Sequence, residues 1–380
     1  MAGDCRHEND LTSLSSKYGE PLARHISRLF CSSSLQGVSP AASSSQKMHL
    51  NVRDNPSNNL MSTAPNLPLL VVGGPTASGK TKLAVDLARR LGGEIICADS
   101  MQVYKGLEIG TAAPTLQERG EIPHHLFGFL EPEESFSVAR YIELARMTIA
   151  DIAGRGALPI LCGGTGLYIS SVIDGICFDE SIPENLSRRA ELRTLAAEKG
   201  AEYVWEILDD CDPALAAKLH PNNLGRVIRA IEVWEASGLP MSEWQRRSKP
   251  AQGPYNLCFL ALRYADRAQL YRRIDMRVDL MLEQGLLGEV RALLQTGCTG
   301  TVMQAIGYKE FAAYLRGEQT LGEATELLKQ QTRRYAKRQL TWLRKDGRVI
   351  WLEPDTEASY DALLDRALRK AQTLRGIYER

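Results

Sequence analysis

LPLLVVGGPTASGKTKLAVDLARRL, residues 67–91, decides the fold. Its first six residues are an apolar run of strand length, and from Lys80 onward Leu83, Ala84, Leu87 and Leu91 recur at helical spacing. Between them Gly74, Gly79, Lys80 and Thr81 stand in the pattern G-x-x-x-x-G-K-T. A glycine-rich turn from strand to helix directs backbone N–H groups and the positive end of the helix dipole at an oxyanion. The loop binds phosphate. It leaves open whose phosphate that is.

The same alternation continues on either side. EIICADS (94–100) reads as a second strand ending in Asp99, residues 136–156 as a helix stopped by Gly154 and Gly156, and ALPILCGG (157–164) as a third strand. Alternating strands and helices predict a P-loop α/β core, a parallel sheet flanked by helices. Ligands of such sheets bind beyond the carboxyl ends of the strands, so Gly74–Thr81, Asp99 and Gly163–Thr165 should share one crevice. The core spans 67–178 and returns at 253–380, where NLCFLALRY (256–264) and VIWLE (349–353) read as strands and the rest as helices. Residues 179–252 show helical patterning and no strand signal, which predicts a helical insertion domain. Residues 1–66 are rich in Ser, Asn and Pro without periodicity and are expected to be disordered. In that segment Arg6, Arg24 and Arg28 suggest an organelle transit peptide, while Asp4, Glu8, Asp10 and Glu20 oppose one. An upstream start with Met48 or Met61 as the working initiator is the preferred reading, and the expected location is the cytoplasm.

Composition excludes more than it assigns. The chain has 380 residues and no net charge, so a case for nucleic acid needs a local cluster. No stretch approaches the roughly 20 apolar residues of a membrane span. Eight cysteines are scattered without a C-x-x-C pair and read as reduced thiols of an intracellular protein.

Several residues could carry chemistry. Lys80 would reach the terminal phosphates and Thr81 would hold Mg²⁺. Asp99 suits a metal-holding carboxylate, a general base facing the phosphate ester, or a turn aspartate sharing a capping role with Ser100. Arg273 and Arg277 are four apart on one helix face beside Asp275 and Asp279, a phosphate clamp or a solvated charged face. Between 329 and 348 lie Lys329, Arg333, Arg334, Lys337, Arg338, Arg344, Lys345 and Arg348 against the single acid Asp346. Arg333/Lys337 and Arg334/Arg338 are i, i+4 pairs, with Tyr335, Trp342 and Trp351 interleaved, which reads as a polyanion-binding stripe in preference to a solvated face. Arg226 and Arg229 form a smaller basic patch in the insertion.

GPTASGKT, ADSMQVYKGLEIGTAAPT, PHHLFGFLEPEESFSVARY, PILCGGTGLYI, LHPNNLGRVIRAIEVW, MLEQGLLGEVRALL, QAIGYKEF and RRYAKRQLTWLR occur in this order. Together, from 67 to about 353, the chain resembles the tRNA dimethylallyltransferases. Without a carboxyl-terminal Cys/His zinc finger, it looks like the bacterial form. The resemblance implies transfer of a dimethylallyl group from dimethylallyl diphosphate to N6 of the adenosine 3′ of the anticodon (position 37), with Mg²⁺ required and diphosphate released. It implies that the loop Gly74, Pro75, Thr76, Ala77, Ser78, Gly79, Lys80 and Thr81 grips diphosphate and hydrolyses no nucleotide, with Thr81 serving the metal. Thr76, Lys80, Asp99 and Arg277 are the implied catalytic residues, Asp99 taking the proton of the exocyclic amine. The implied tRNA contacts are Asp99, Ser100, Met101, Gln102, Thr165, Arg188, Gly225, Arg226, Val227, Ile228, Arg229, Arg334 and Arg338. A monomer binding tRNA at its anticodon loop and no membrane is expected. A transferase acting on free adenine nucleotides and an ATP-dependent kinase are the alternatives.

Overall fold

The computed structural model describes residues 66–176, 184–248, 250 and 253–377. The expected disordered extension, its competing initiators and its transit signal thus lie outside the described residues, apart from residue 66. The chain forms two compact units, one made of the stretches up to Ser137, Glu143–Ile169 and Pro254 onward, the other of Val138–Ile142 and Ser170–Gly253.

The first unit is built on a six-stranded sheet in the order β3-β2-β4-β1-β5-β6. Its strands are β1 (Leu67–Gly73), β2 (Gly93–Ala98), β3 (His124–His125), β4 (Leu158–Gly163), β5 (Tyr255–Leu262) and β6 (Val349–Leu352). Every pairing is parallel. Leu69, Leu70, Val71 and Val72 of the central strand have no exposure at all, which is why β1 reads as a continuous apolar run and not as an alternating one. Helix α1 (Lys80–Leu91) buries Leu83, Ala84, Val85, Leu87, Ala88 and Leu91. They join Leu70, Val72, Ile160 and Leu260 in the main core. Gly92 ends this helix in the left-handed region, at φ 64°.

Register fixes where the loops emerge. Gly73 pairs with Gly163, and Ala98 with the same Gly163. The segments that follow β1, β2 and β4 therefore leave the sheet side by side, the crevice that alternation alone predicts. The short strand β3 is not among the strands read from the sequence. His124 and His125 point to opposite sides, Nδ1 of His124 meeting the Ile122 carbonyl and Nε2 of His125 meeting Glu94 Oε2, each at 2.7 Å.

After short α2 (Leu116–Arg119) come α3 (Val138–Gly154) and α4 (Gly166–Ile173). The second unit continues with α5 (Leu186–Lys199), α6 (Ala201–Cys211), α7 (Pro213–Ala216), α8 (Leu224–Ser237) and α9 (Met241–Ser248), with no strand among its described residues. Leu192, Val204, Leu208, Val227 and Ile231 form its own core. Asp212 is almost fully buried yet satisfied: its carboxylate accepts from Leu215 N–H at 3.1 Å and Ser242 N–H at 2.7 Å. The first unit resumes after β5 with α10 (Arg267–Glu283), α11 (Leu286–Gln295), α12 (Tyr308–Leu315) and α13 (Leu321–Leu343), and α14 (Tyr360–Ala371) follows β6.

Candidate active site

The phosphate loop is held in an unusual backbone conformation. Gly74 (φ 152°) and Gly79 (φ 91°) occupy positive-φ positions, and so does Ala77 at φ 60°. A residue with a side chain in the left-handed region costs about 1 kcal/mol. Two features hold Ala77 there. Its methyl packs with Leu270 and Ile274 of α10 and Ala336 and Leu340 of α13. Its carbonyl accepts from Arg273 Nε at 2.9 Å. Beside it, Ser78 Oγ is buried without a hydrogen-bond partner.

In addition to Arg273, the cations Lys80 and Arg277 and the carboxylate of Asp99 lie near enough to one another beside this loop for their charges to interact. Lys80 Nζ donates weakly to the Pro75 carbonyl at 3.4 Å. Burial and then the charge of Arg277 push its ammonium below the ordinary 10.5, while Asp99 pulls it back. Arg277 reaches the carbonyls of Thr111 and Ala112 with Nη2, at 3.5 and 3.4 Å, and its Nε is buried and unpartnered. Burial lowers the Arg277 pKa too, with Asp99 the largest opposing influence. Cations that repel one another in a partly desolvated crevice form an anion site.

A pH prediction follows from the sign of the Lys80 shift. Between its lowered pKa and 10.5 the unfolded chain holds a proton that the folded one does not, so this group's contribution makes the free protein more stable as pH rises across that window. A bound diphosphate favours the charged ammonium and reverses the depression. Binding inorganic diphosphate at alkaline pH should therefore take up a proton, seen as a binding enthalpy that changes with buffer ionisation heat. Lys80→Met should abolish that dependence.

Asp99 leaves the end of β2 with Oδ1 accepting from Met101 N–H at 3.0 Å, so its turn role is real. Thr165, after β4, accepts from Ser100 N–H with Oγ1 at 3.0 Å, joining the two loops. Gln102 Nε2 donates to the Thr111 and Ala112 carbonyls at 3.0 and 3.3 Å, the same pair that Arg277 uses. That loop is pinned from behind by Glu289, whose carboxylate accepts from Ile109 N–H, Gly110 N–H and the Tyr308 hydroxyl at 2.8, 2.8 and 2.7 Å.

The basic helix α13 divides its charges between two faces. Arg333 pairs with Asp275 and Lys329 with Asp279, so these cations are spent on α10 and the stripe is narrower than its sequence suggests. The expected Arg333/Lys337 pair therefore does not act as one patch. Asp275 and Asp279 bind α13, while Arg277 turns to the loops partly buried and Arg273, still exposed, reaches the phosphate loop with Nε. Arg334, Lys337 and Arg338 are exposed, with Arg338 over the Tyr335 ring at 5.5 Å. Tyr335 and Gln339 face inward: the Tyr335 hydroxyl meets the side chains of Thr165 and Gln339. Gln339 is 6% exposed and accepts from Thr76 N–H at 2.9 Å.

The structure thus brings Thr76, Lys80, Asp99, Ser100, Gln102, Thr165 and Arg277 into one network of loops in the first unit, with Met101 in the turn and Thr81 in the first turn of α1. Arg188, Gly225, Arg226, Val227, Ile228 and Arg229 lie in the second unit. Val227 and Ile228 need correction as tRNA contacts: at 0% and 2% exposure their side chains belong to that unit's core. Gly225 and Arg226 are exposed. Arg188 is paired with Glu235 at 2.7 Å and with Glu191, which neutralises the charge an RNA phosphate would need. Gln339 and Glu289 were not among the expected site residues, and Tyr335 was expected only as an aromatic within the basic stripe. In RRYAKRQLTW the uncharged positions Tyr335, Ala336, Gln339 and Leu340 share one helical face, the one signal that marks the inward side.

Residues 102–346 match the family model described as IPP transferase, and residues 67–122 the one described as isopentenyl transferase. The tRNA dimethylallyltransferase of Carboxydothermus hydrogenoformans is 46% identical over 304 residues, which are 80% of this chain and 97% of that protein. That of Geobacillus thermodenitrificans is 51% identical over 286 residues, 75% of this chain and 90% of the relative. The crystal structure of the full-length tRNA isopentenylpyrophosphate transferase of Bacillus halodurans is similar with a TM-score of 0.61 at 41% identity, over 82% of this chain and 99% of that one. A eukaryotic dimethylallyltransferase acting on tRNA, captured in crystallographic snapshots, aligns with a TM-score of 0.67 at 32% identity, over 78% of each chain. The chain belongs to the tRNA dimethylallyltransferase (IPP transferase) family.

Proposed function

We propose that this chain transfers the dimethylallyl group of dimethylallyl diphosphate to N6 of adenosine 37 in tRNA. One observation carries the assignment of roles: Lys80 and Arg277, both with pKa values lowered by burial, share a crevice with Asp99 beside the phosphate loop. The N6 lone pair attacks the allylic carbon, the carbon–oxygen bond to diphosphate breaks, and the N6 proton passes to Asp99. Charge that accumulates on the leaving diphosphate meets Lys80, Arg277 and the loop around Thr76, so these groups stabilise the transition state more than the ground state. The base must be extruded, because N6 within a stacked anticodon loop is hard to reach.

The donor set fits Mg²⁺ that arrives with its diphosphate. Mg²⁺ keeps several waters and needs few protein ligands, and no group of three His, Cys, Asp or Glu forms a cage among the described residues. Thr81 would hold it, and the ion would supply charge neutralisation for the leaving group.

Exposed Arg334, Lys337 and Arg338 support tRNA as the large partner, with Arg226 a further contact in the second unit. Among the described residues no helix is long and apolar enough to cross a membrane. Arg334→Ala should weaken tRNA binding and reduce the slope of log K against log salt by about one. An unchanged slope would remove this arginine from the interface. The deciding experiment is mass spectrometry of nucleosides from unmodified tRNA incubated with dimethylallyl diphosphate and Mg²⁺. AMP as a competing acceptor should stay unmodified. ATP turnover without prenylation would favour a kinase and sink the proposal.

A further inference from the structure

We infer that Gln339 is the positioning residue that sets the spacing between the diphosphate loop and the proton acceptor. The inference rests on the prenyl-transfer reading and deepens it. Gln339 reaches inward from α13 between two strand ends. Its Oε1 accepts from Thr76 N–H at 2.9 Å, and its Nε2 donates to the Gly164 carbonyl at 3.0 Å. The orientation of the amide is fixed by chemistry, since the flipped group would set oxygen against carbonyl and N–H against N–H. Space is equally exact in its demand: a Cβ on Gly164 would lie 2.1 Å from Nε2. Only glycine at 164 admits the amide.

The two contacts form half of a chain of loops. The β1 loop is tied by Gln339 to the β4 loop, and Thr165 of the β4 loop is tied through the Ser100 N–H to the β2 loop that carries Asp99. The leaving-group grip and the base are thus connected through one glutamine and one threonine. Misplacement of reacting groups by about 1 Å costs on the order of 100-fold in rate. The hydrogen bonds of Lys80 and Arg277 go to the Pro75, Thr111 and Ala112 carbonyls and not to Gln339, so the charges that hold the donor stay in place without the amide.

Gln339→Met preserves the side-chain length and removes the hydrogen bonds to Thr76 and Gly164, together with the amide's contact to the Tyr335 hydroxyl. Its kcat for tRNA prenylation should fall about 100-fold, while the Kd of dimethylallyl diphosphate, measured by calorimetry without tRNA, changes less than about fivefold. A kcat within about threefold of wild type, or a loss matched by lost donor affinity, would overturn the inference. Gln339→Glu covers the case in which the first variant does not fold. Its carboxylate still accepts from Thr76 N–H but regains a donor for Gly164 only when protonated, so its kcat relative to wild type should rise as pH falls. A ratio independent of pH would equally overturn the inference. If the wild-type chain itself binds the donor but modifies no tRNA, the prenyl-transfer reading fails, whatever the variants do.

Discussion

Asp99→Asn is expected to lower kcat for tRNA prenylation by about 10²–10⁴-fold, the range for loss of a positioned general base. The asparagine retains an oxygen for Met101 N–H, so the turn observed at Asp99 persists and the change isolates proton transfer from local folding. Asp99→Ala removes both functions and should be no more active. Donor affinity should move the other way or stay level. Asp99 is the carboxylate that offsets Lys80 and Arg277, and without it the crevice holds a more positive field for diphosphate. Single-turnover assays with saturating donor, paired with calorimetric Kd values, separate the two effects. An asparagine variant that keeps more than a tenth of wild-type kcat would exclude Asp99 as the base.

Gly163→Ala should be the most damaging single methyl in the sheet. A Cβ at Gly163 would lie 2.1 Å from the Ala98 carbonyl oxygen and 2.7 Å from its Cα, across the pairing of β4 with β2. Backbone on both sides leaves no side chain to swing away, so the two strands must separate where Asp99 and Thr165 emerge. The cost belongs with the exceptional substitutions above about 4 kcal/mol, and the melting temperature should drop by about 10 °C or the protein should be recovered unfolded. Gly288→Ala is the control. Nothing lies within 4 Å of its added methyl, and it sits inside α11, where alanine is the better helix former. Equal melting temperatures for the two variants would refute the argument.

What the sequence discloses depends on how local the physics is. The strand–loop–helix over 67–91 is legible because burial, helical periodicity and phosphate geometry are all written within one stretch of chain. Asp99 and Thr165 are legible as strand-end residues, since a parallel sheet brings such ends together whatever its strand order. Strand β3 escapes notice because two residues carry no period. Charge is where sequence misleads most. Arg333, Lys329 and Arg188 look available until Asp275, Asp279 and Glu235 are seen beside them, partners that lie far away in sequence. Val227 and Ile228 match a family motif yet face inward, because a helix that displays Arg226 must bury its neighbours. Gln339 is the opposite case. Its neutral side chain gives no electrostatic signal, and its role exists only through Thr76 and Gly164.

The central place of β1 has a consequence for synthesis on the ribosome. Its partner β5 begins at Tyr255, after the whole of the second unit has been translated. At roughly 5–20 residues per second, the edge of β1 that awaits β5 stays open for several seconds after β4 is made. That edge is Leu67–Gly73, apolar throughout and with unpaired backbone groups. Nascent chains stalled within 184–248 should therefore be the species most dependent on chaperones, and slower translation there should lower the yield of soluble enzyme.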